Sequence, residues 1–281
     1  MNTKRILIIT LIIVLSTGLY AQEFVGRELD TRRIDEASGL ALSKINPGIL
    51  YSHNDSGGEA SVFAINTDGE LIAEIIVPGL RNRDWEDIAT AIDPGDGRAY
   101  IYIGEIGDNR AVYPSIYIYR IPEPKLTDSL ISAETVEIFE INYEDGARDA
   151  EALFVDPQTG DIYIISKREE KVGIYRLAHP LKSDELNLAI RLGEVDMSWV
   201  TAADISSDGS KILVKNYTEI RLFERAEGES IAEALMGEGK KMPYEIEPQG
   251  EAICFDKADK GYFTLSEAVG DAAQILYYYS D

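Results

Sequence analysis

The chain has 281 residues, 45% hydrophobic and 27% charged, with a formal net charge of −23. So acidic a balance repels phosphate backbones and anionic membrane surfaces, which excludes nucleic-acid binding. Its single cysteine, Cys254, excludes an intrachain disulfide, so stability has to come from a hydrophobic core.

Residues 1–21 stand apart from the rest. Lys4 and Arg5 precede an apolar run from Ile6 to Val14, and Leu19-Tyr20-Ala21 ends on a small residue before Gln22. That order is the order of a secretory signal peptide cleaved after Ala21, and the run is short for a spanning helix. The expectation is a secreted or periplasmic monomer with no membrane insertion after cleavage. Residues 22–281 would then form one domain.

Beyond Gln22, helical periodicity is scarce. Short runs rich in Ile, Val, Tyr and Phe alternate with Gly, Asp, Asn and Pro, the pattern of an all-β domain. Five stretches share one design: an acidic or polar start, a short apolar run, a Gly- or Asp-containing turn, and a second apolar run that ends in polar residues. The first runs from Glu36-Ala37-Ser38 through Asn46-Pro47-Gly48 to His53-Asn54-Asp55. The second starts at Asp84-Trp85-Glu86-Asp87, turns at Asp93 to Gly97 and ends at Gly104-Glu105. The third starts at Asp149-Ala150-Glu151, turns at Asp156-Pro157 to Gly160 and ends at Ser166-Lys167. The fourth, from Thr201, ends at Lys215-Asn216-Tyr217, and the fifth, from Gln249-Gly250-Glu251, ends at Ser266-Glu267.

The starts recur at roughly 50-residue intervals, and a third and usually a fourth strand follow each hairpin. Four antiparallel strands per unit at this period predict a β-propeller. The fifth unit lacks a fourth strand before the chain stops at Asp281, and residues 23–29 can supply it, closing the ring and removing an exposed edge. The expectation is a five-bladed propeller closed by the N-terminal strand. Six blades is the alternative, with a degenerate unit hidden in the long second repeat.

The motifs Asp84-Trp85-Glu86-Asp87-Ile88-Ala89, Gly104-Glu105-Ile106-Gly107-Asp108-Asn109 and Asp149-Ala150-Glu151-Ala152-Leu153 resemble those of a family of secreted bacterial propeller proteins, mostly uncharacterised. Glu36-Ala37-Ser38-Gly39-Leu40 and His53-Asn54-Asp55-Ser56-Gly57 match the same pattern, so the resemblance covers nearly all of residues 22–281. More distantly the chain is similar to phytase-like, SdiA-regulated and calcium-dependent lactonase propellers. That resemblance implies a divalent metal in the central channel and fixes no reaction.

In a propeller the first strand of each blade lines the channel, so first-strand starts and second-strand ends open on one face. Glu86, Glu151 and Glu251 hold equivalent places in the repeat and point the same way. Carboxylates that converge raise one another's pKa unless a cation relieves them. Glu86, Asp108, Asn109, Glu151 and Glu251 are the candidate metal ligands, all oxygen donors that suit Ca2+, with Mg2+ as second choice. Asn54, Asp55, Asp84, Glu105, Asp149, Asn216 and Glu267 are candidates to contact a small-molecule ligand or a protein partner. The competing reading is structural: acidic residues here would accept backbone N–H groups and lock neighbouring blades together.

Two functions follow. One is a binding module with an acidic, Ca2+-holding channel mouth. The other is a metal-dependent hydrolase of phosphoesters or lactones, with His53 moving protons and Lys167 or Lys215 meeting an anionic substrate. No nucleophile elbow, zinc motif or phosphate loop is present, which places binding first.

Overall fold

The computed structural model describes residues 24–280; the expected leader lies outside them. The fold is all-β and propeller-like. β1 is Phe24–Glu28. β2 (Ala37–Leu42), β3 (Ile49–Asn54), β4 (Ser61–Asn66) and β5 (Leu71–Ile76) form an antiparallel run in chain order. β6 (Asp87–Ile92), β7 (Ala99–Glu105) and β8 (Ile116–Pro122) begin a second. The long connection after β8 holds β9 (Leu130–Ser132), which pairs in parallel with the outer strand β5 of the preceding sheet. β10 (Glu137–Tyr143) then pairs with β8 and completes the second run.

The third run is β11 (Ala150–Val155), β12 (Ile162–Ser166), β13 (Val172–Leu177) and β14 (Asn187–Val195). A short parallel contact between β10 and β14 joins it to the second run as one eight-stranded sheet. The fourth is β15 (Val200–Ile205), β16 (Lys211–Asn216), β17 (Ile220–Glu224) and the short β18 (Lys240–Met242). β19 (Gly250–Phe255), β20 (Tyr262–Ser266) and β21 (Ile275–Tyr279) form the last, and β1 adds to β21 with Phe24 opposite Tyr279. The N-terminal segment thus covers the edge that the C-terminal strand would expose, as expected.

The first strands β2, β6, β11, β15 and β19 pack side by side in that order, and β19 returns to β2. Their alternation sends apolar side chains into seams between consecutive sheets. Trp85, Ile101 and Ile121 meet Tyr51 and Val62 in one seam, while Leu50 and Ile65 meet Cys254 and Leu265 in another. Between β15 and the third sheet, the helix α1 (Ile231–Leu235) closes the seam with Ile231, Ala234 and Leu235. A capping box starts it: Glu233 N–H donates to Ser230 Oγ, while Ser230 N–H donates to the Glu233 carboxylate. No helix among the described residues is long and apolar enough to cross a membrane.

Polar bonds pin the first strands to one another. Ser38 Oγ donates to Glu86 O at 2.5 Å, and Thr90 Oγ1 donates to Leu42 O at 2.6 Å. The Asp87 carboxylate accepts Leu153 N–H at 2.8 Å from the next sheet, and Asp204 accepts Phe255 N–H at 2.7 Å. For these two aspartates the blade-locking reading of the acidic starts holds.

Candidate functional site

Three of the five first strands share an irregularity where they begin. In β11 the pairing passes from Ala150–Ser166 to Ala152–Ile165, so Glu151 has no opposite residue. β19 skips Glu251 in the same way, and β15 skips Thr201. A bulge frees one residue from the ladder and re-aims its side chain. Here it turns Glu151 and Glu251 toward the axis, where Glu86, just before β6, already stands.

The result is a polar cavity of about 250 Å3 at the strand-start end of the ring. Glu86, Glu151, Glu251, Asp55 and Glu267 line it together with Lys167. At its wall, oxygens of Asp55, Asp84 and Glu86 lie within 4.8 Å of one another, and so do oxygens of Glu86, Asp149 and Glu151, although Asp84 and Asp149 stand behind the lining. Glu86 belongs to both groups. Its side chain is 4% exposed, and its carboxylate takes part in no hydrogen bond or ion pair among the described residues. Burial and the neighbouring Glu151 push its pKa well up. Burial, then Asp84, raises Asp55 to about 7, and burial, then Glu251, raises Glu267 to about 7. Asp84 is raised too, by burial and by Asp149.

Gly107 lets the β7–β8 loop approach this close. A Cβ there would collide with Glu86 Oε1 and Asp84 Oδ2, so any larger residue would fill the space between the carboxylates.

The cations are few and already engaged. Lys167 Nζ pairs with Glu151 and donates to Tyr217 Oη at 3.0 Å, and Tyr217 Oη donates to Glu251 at 2.7 Å. Burial alone would lower the Lys167 pKa, but Glu151 and Glu251 hold the ammonium above its usual range. Arg168 binds both Asp149 and the Asn109 side-chain oxygen.

Other expected residues make contacts outside this group of carboxylates. Glu105 pairs with Arg83 at 3.4 Å. Asp108, 1% exposed, accepts Tyr113 N–H at 2.7 Å, and its own N–H donates to Asp149 at 2.9 Å. The Asn54 side chain bridges Glu36 N–H and Arg33 O, and the Asn216 side-chain oxygen accepts Thr218 and Glu219 N–H in a turn. His53 is wholly buried, edge-on to Trp85, and burial lowers it to about 4, so it is neutral at physiological pH. It does not line the cavity. Lys215 is also fully buried: it donates to Gly250 O, lies 4.8 Å from the Tyr244 ring, and burial lowers it to about 8.

Two residues of the cavity carried no signal in the repeat. Arg168 and Trp199 stand in connections just beyond strand ends, where no periodicity marks them. The buried partner of Lys215, Glu247, stands there too, and burial raises it to about 7.

A larger groove, about 630 Å3, opens at the other end, among the hairpin turns. Leu42, Phe255, Phe263, Leu276 and Tyr278 line it together with Asp204, whereas Glu86, Glu151 and Glu251 do not. Size and apolar walls favour that groove as a ligand site. Buried charge without compensation favours the smaller cavity, and such charge is the more demanding feature to maintain.

No protein-family profile matches the chain, and no curated protein does. Among solved structures it is similar to the Kuenenia stuttgartiensis hydrazine synthase (12% identity, 89% of this chain and 58% of that one, TM-score 0.44). It is also similar to a functionally unknown protein from Desulfotomaculum acetoxidans (14% identity, 82% and 65%, TM-score 0.40). A third likeness is to a nidogen/laminin complex (15% identity, 83% and 73%, TM-score 0.47). The chain thus spans less than two thirds of the first two.

Proposed function

We propose that the chain is a five-bladed β-propeller whose channel mouth holds a divalent cation, Ca2+ in preference to Mg2+, and presents it to a small ligand. The cyclic packing of five first strands supports the blade count, with β1 completing the last blade. The surplus length of the second repeat goes into β9, which extends a neighbouring sheet, and not into a sixth four-strand unit.

One observation carries the cation: the buried Glu86 carboxylate, shared by two oxygen triads and without a donor of its own. Asp55, Asp84, Asp149 and Glu151 would complete its ligands. Carboxylate oxygens from several loops, with no His or Cys among them, suit the adaptable coordination of Ca2+ better than zinc or the strict octahedron of Mg2+. Of the other candidate ligands read from the sequence, the Asn109 oxygen is taken by Arg168 and one oxygen of Glu251 by Tyr217, while Asp108 gives one oxygen to the Tyr113 N–H and keeps the other buried without a donor.

Binding ranks above hydrolysis. The proton carrier a hydrolase would need, His53, is shut inside the core. The anion-meeting lysines are a buried Lys215 and a Lys167 already paired with Glu151. The leader-like residues 1–21 support export to the periplasm or beyond, which mass spectrometry of the mature N-terminus would test by finding Gln22 first.

The test is a thermal melt of the full mature chain after chelation, then with CaCl2. A cation that binds only the folded state raises the midpoint by mass action. Identical midpoints with Ca2+, Mg2+ and chelator would overturn the proposal.

A further inference from the structure

The rim of the cavity carries an aromatic that a cation does not need. Trp199, in the connection from β14 to β15, is 48% exposed and lines the cavity, while the chain's other tryptophan, Trp85, is wholly buried. Its backbone N–H donates to Lys167 O at 2.7 Å, and its φ is +54°. The Arg168 guanidinium lies 5.2 Å from the indole, held in turn by Asp149 and Asn109. The backbone of Trp199 is therefore held at the mouth by its hydrogen bond, in a left-handed conformation that tryptophan disfavours, and its indole by the cation–π contact, with about half of the residue's surface in solvent.

The rest of the wall indicates what would lie on that ring. Asp55, Glu86, Glu151, Glu251 and Glu267 outnumber Lys167 and Arg168, so phosphates and other anions are repelled. An organic cation would meet Arg168 at the aromatic, so it is disfavoured there too. A neutral molecule with many hydroxyls and one apolar ring face fits both constraints. Its hydroxyls can donate to Glu251 and Glu267 and accept from Gln249 or Lys167, and its apolar face can cover the indole. A pyranose is that molecule, and its vicinal hydroxyls can complete the shell of a Ca2+ ion.

We infer that Trp199 is the stacking platform of a carbohydrate subsite at the channel mouth, specific for neutral pyranoses. The inference rests on the reading of this mouth as a cation-holding ligand site.

The experiment is an array of immobilised neutral oligosaccharides probed with the full mature chain in CaCl2, followed by solution titration of the glycans that bind. Trp199 fluorescence should change on titration, since Trp85 is insulated in the core. Trp199→Gly should lose about tenfold or more in affinity. It should melt no lower than the parent, because glycine adopts φ +54° without strain, and keep its response to Ca2+. Trp199→Phe should retain most of the binding. The inference falls if no neutral glycan binds, if Trp199→Gly binds as tightly as the parent, or if choline or inorganic phosphate displaces the glycan. Ca2+ stabilisation without glycan binding would defeat this inference alone. Glycan binding that depends on Trp199, with midpoints identical in Ca2+ and chelator, would support it and defeat the cation reading alone.

Discussion

Two tiers of acid follow one another along the same strands and behave in opposite ways. Asp87 and Asp204 face the neighbouring sheet and are taken up by its backbone: Asp87 accepts N–H from Leu153 and Ile88, and Asp204 accepts N–H from Phe255. Glu86, one residue before Asp87, faces the channel and accepts none. Both aspartate and glutamate are buried, and burial pushes both Glu86 and Asp87 up in pKa. The difference lies in the donors. Where backbone N–H groups reach a carboxylate, its charge fastens blades; where they do not, the fold keeps a charge that something else must neutralise.

Replacing a carboxylate in each tier should therefore give opposite results. The largest effect is expected for Asp87→Ala, which strands N–H groups of two sheets and should cost about 3 kcal/mol or more in chemical denaturation. Glu86→Gln, at the adjacent position, should leave the metal-free protein about 1 kcal/mol more stable, since a buried charge is removed. The same change should weaken Ca2+ binding about 100-fold by calorimetry. A Glu86→Gln variant that is destabilised and still binds Ca2+ would move Glu86 into the blade-fastening tier.

The tiers should also part along the pH axis. Asp55 and Glu267 are raised to about 7 in the folded state from ordinary values of 3.8 and 4.5. The native state then holds more protons than the unfolded state across that window, so their contribution favours folding at low pH and is lost as pH rises through about 7. Ca2+ competes with the proton for the Asp55 oxygens, so the Ca2+-induced rise in midpoint should grow from pH 5 to pH 8. His53 acts in the other sense: with a folded value of about 4, it adds stability as pH rises from there to 6.5. It does so with or without Ca2+, so the difference between the two melting curves isolates the carboxylates. A Ca2+ shift independent of pH would contradict the assignment. The smallest effect is expected for Tyr217→Phe, which removes the hydroxyl bridging Lys167 and Glu251: about 1 kcal/mol in stability, with the Ca2+ response intact.

Much of the frame was legible in the residues because it repeats. An acidic start, an apolar run and an Asp- or Gly-bearing turn at one period predict hairpins, their order and the closing role of residues 23–29, and Glu86, Glu151 and Glu251 emerge as equivalent. Which of the neighbouring acids would be satisfied was not legible, since this depends on one unpaired residue in β11 and β19. His53 and Lys215 read as rim residues because they end second strands. Both lie instead in full burial. Trp199 and Arg168 come from connections without period, and only the closed ring brings them beside carboxylates far away in sequence.

The most direct measurement is anomalous diffraction from a crystal grown with Tb3+, which substitutes for Ca2+ at oxygen sites. A single peak within about 2.3–2.6 Å of Glu86 and of at least two oxygens from Asp55, Asp84, Asp149 and Glu151 is the predicted result. A peak elsewhere, or Glu86 with no ion against it at saturating Tb3+, would contradict a cation at the channel mouth.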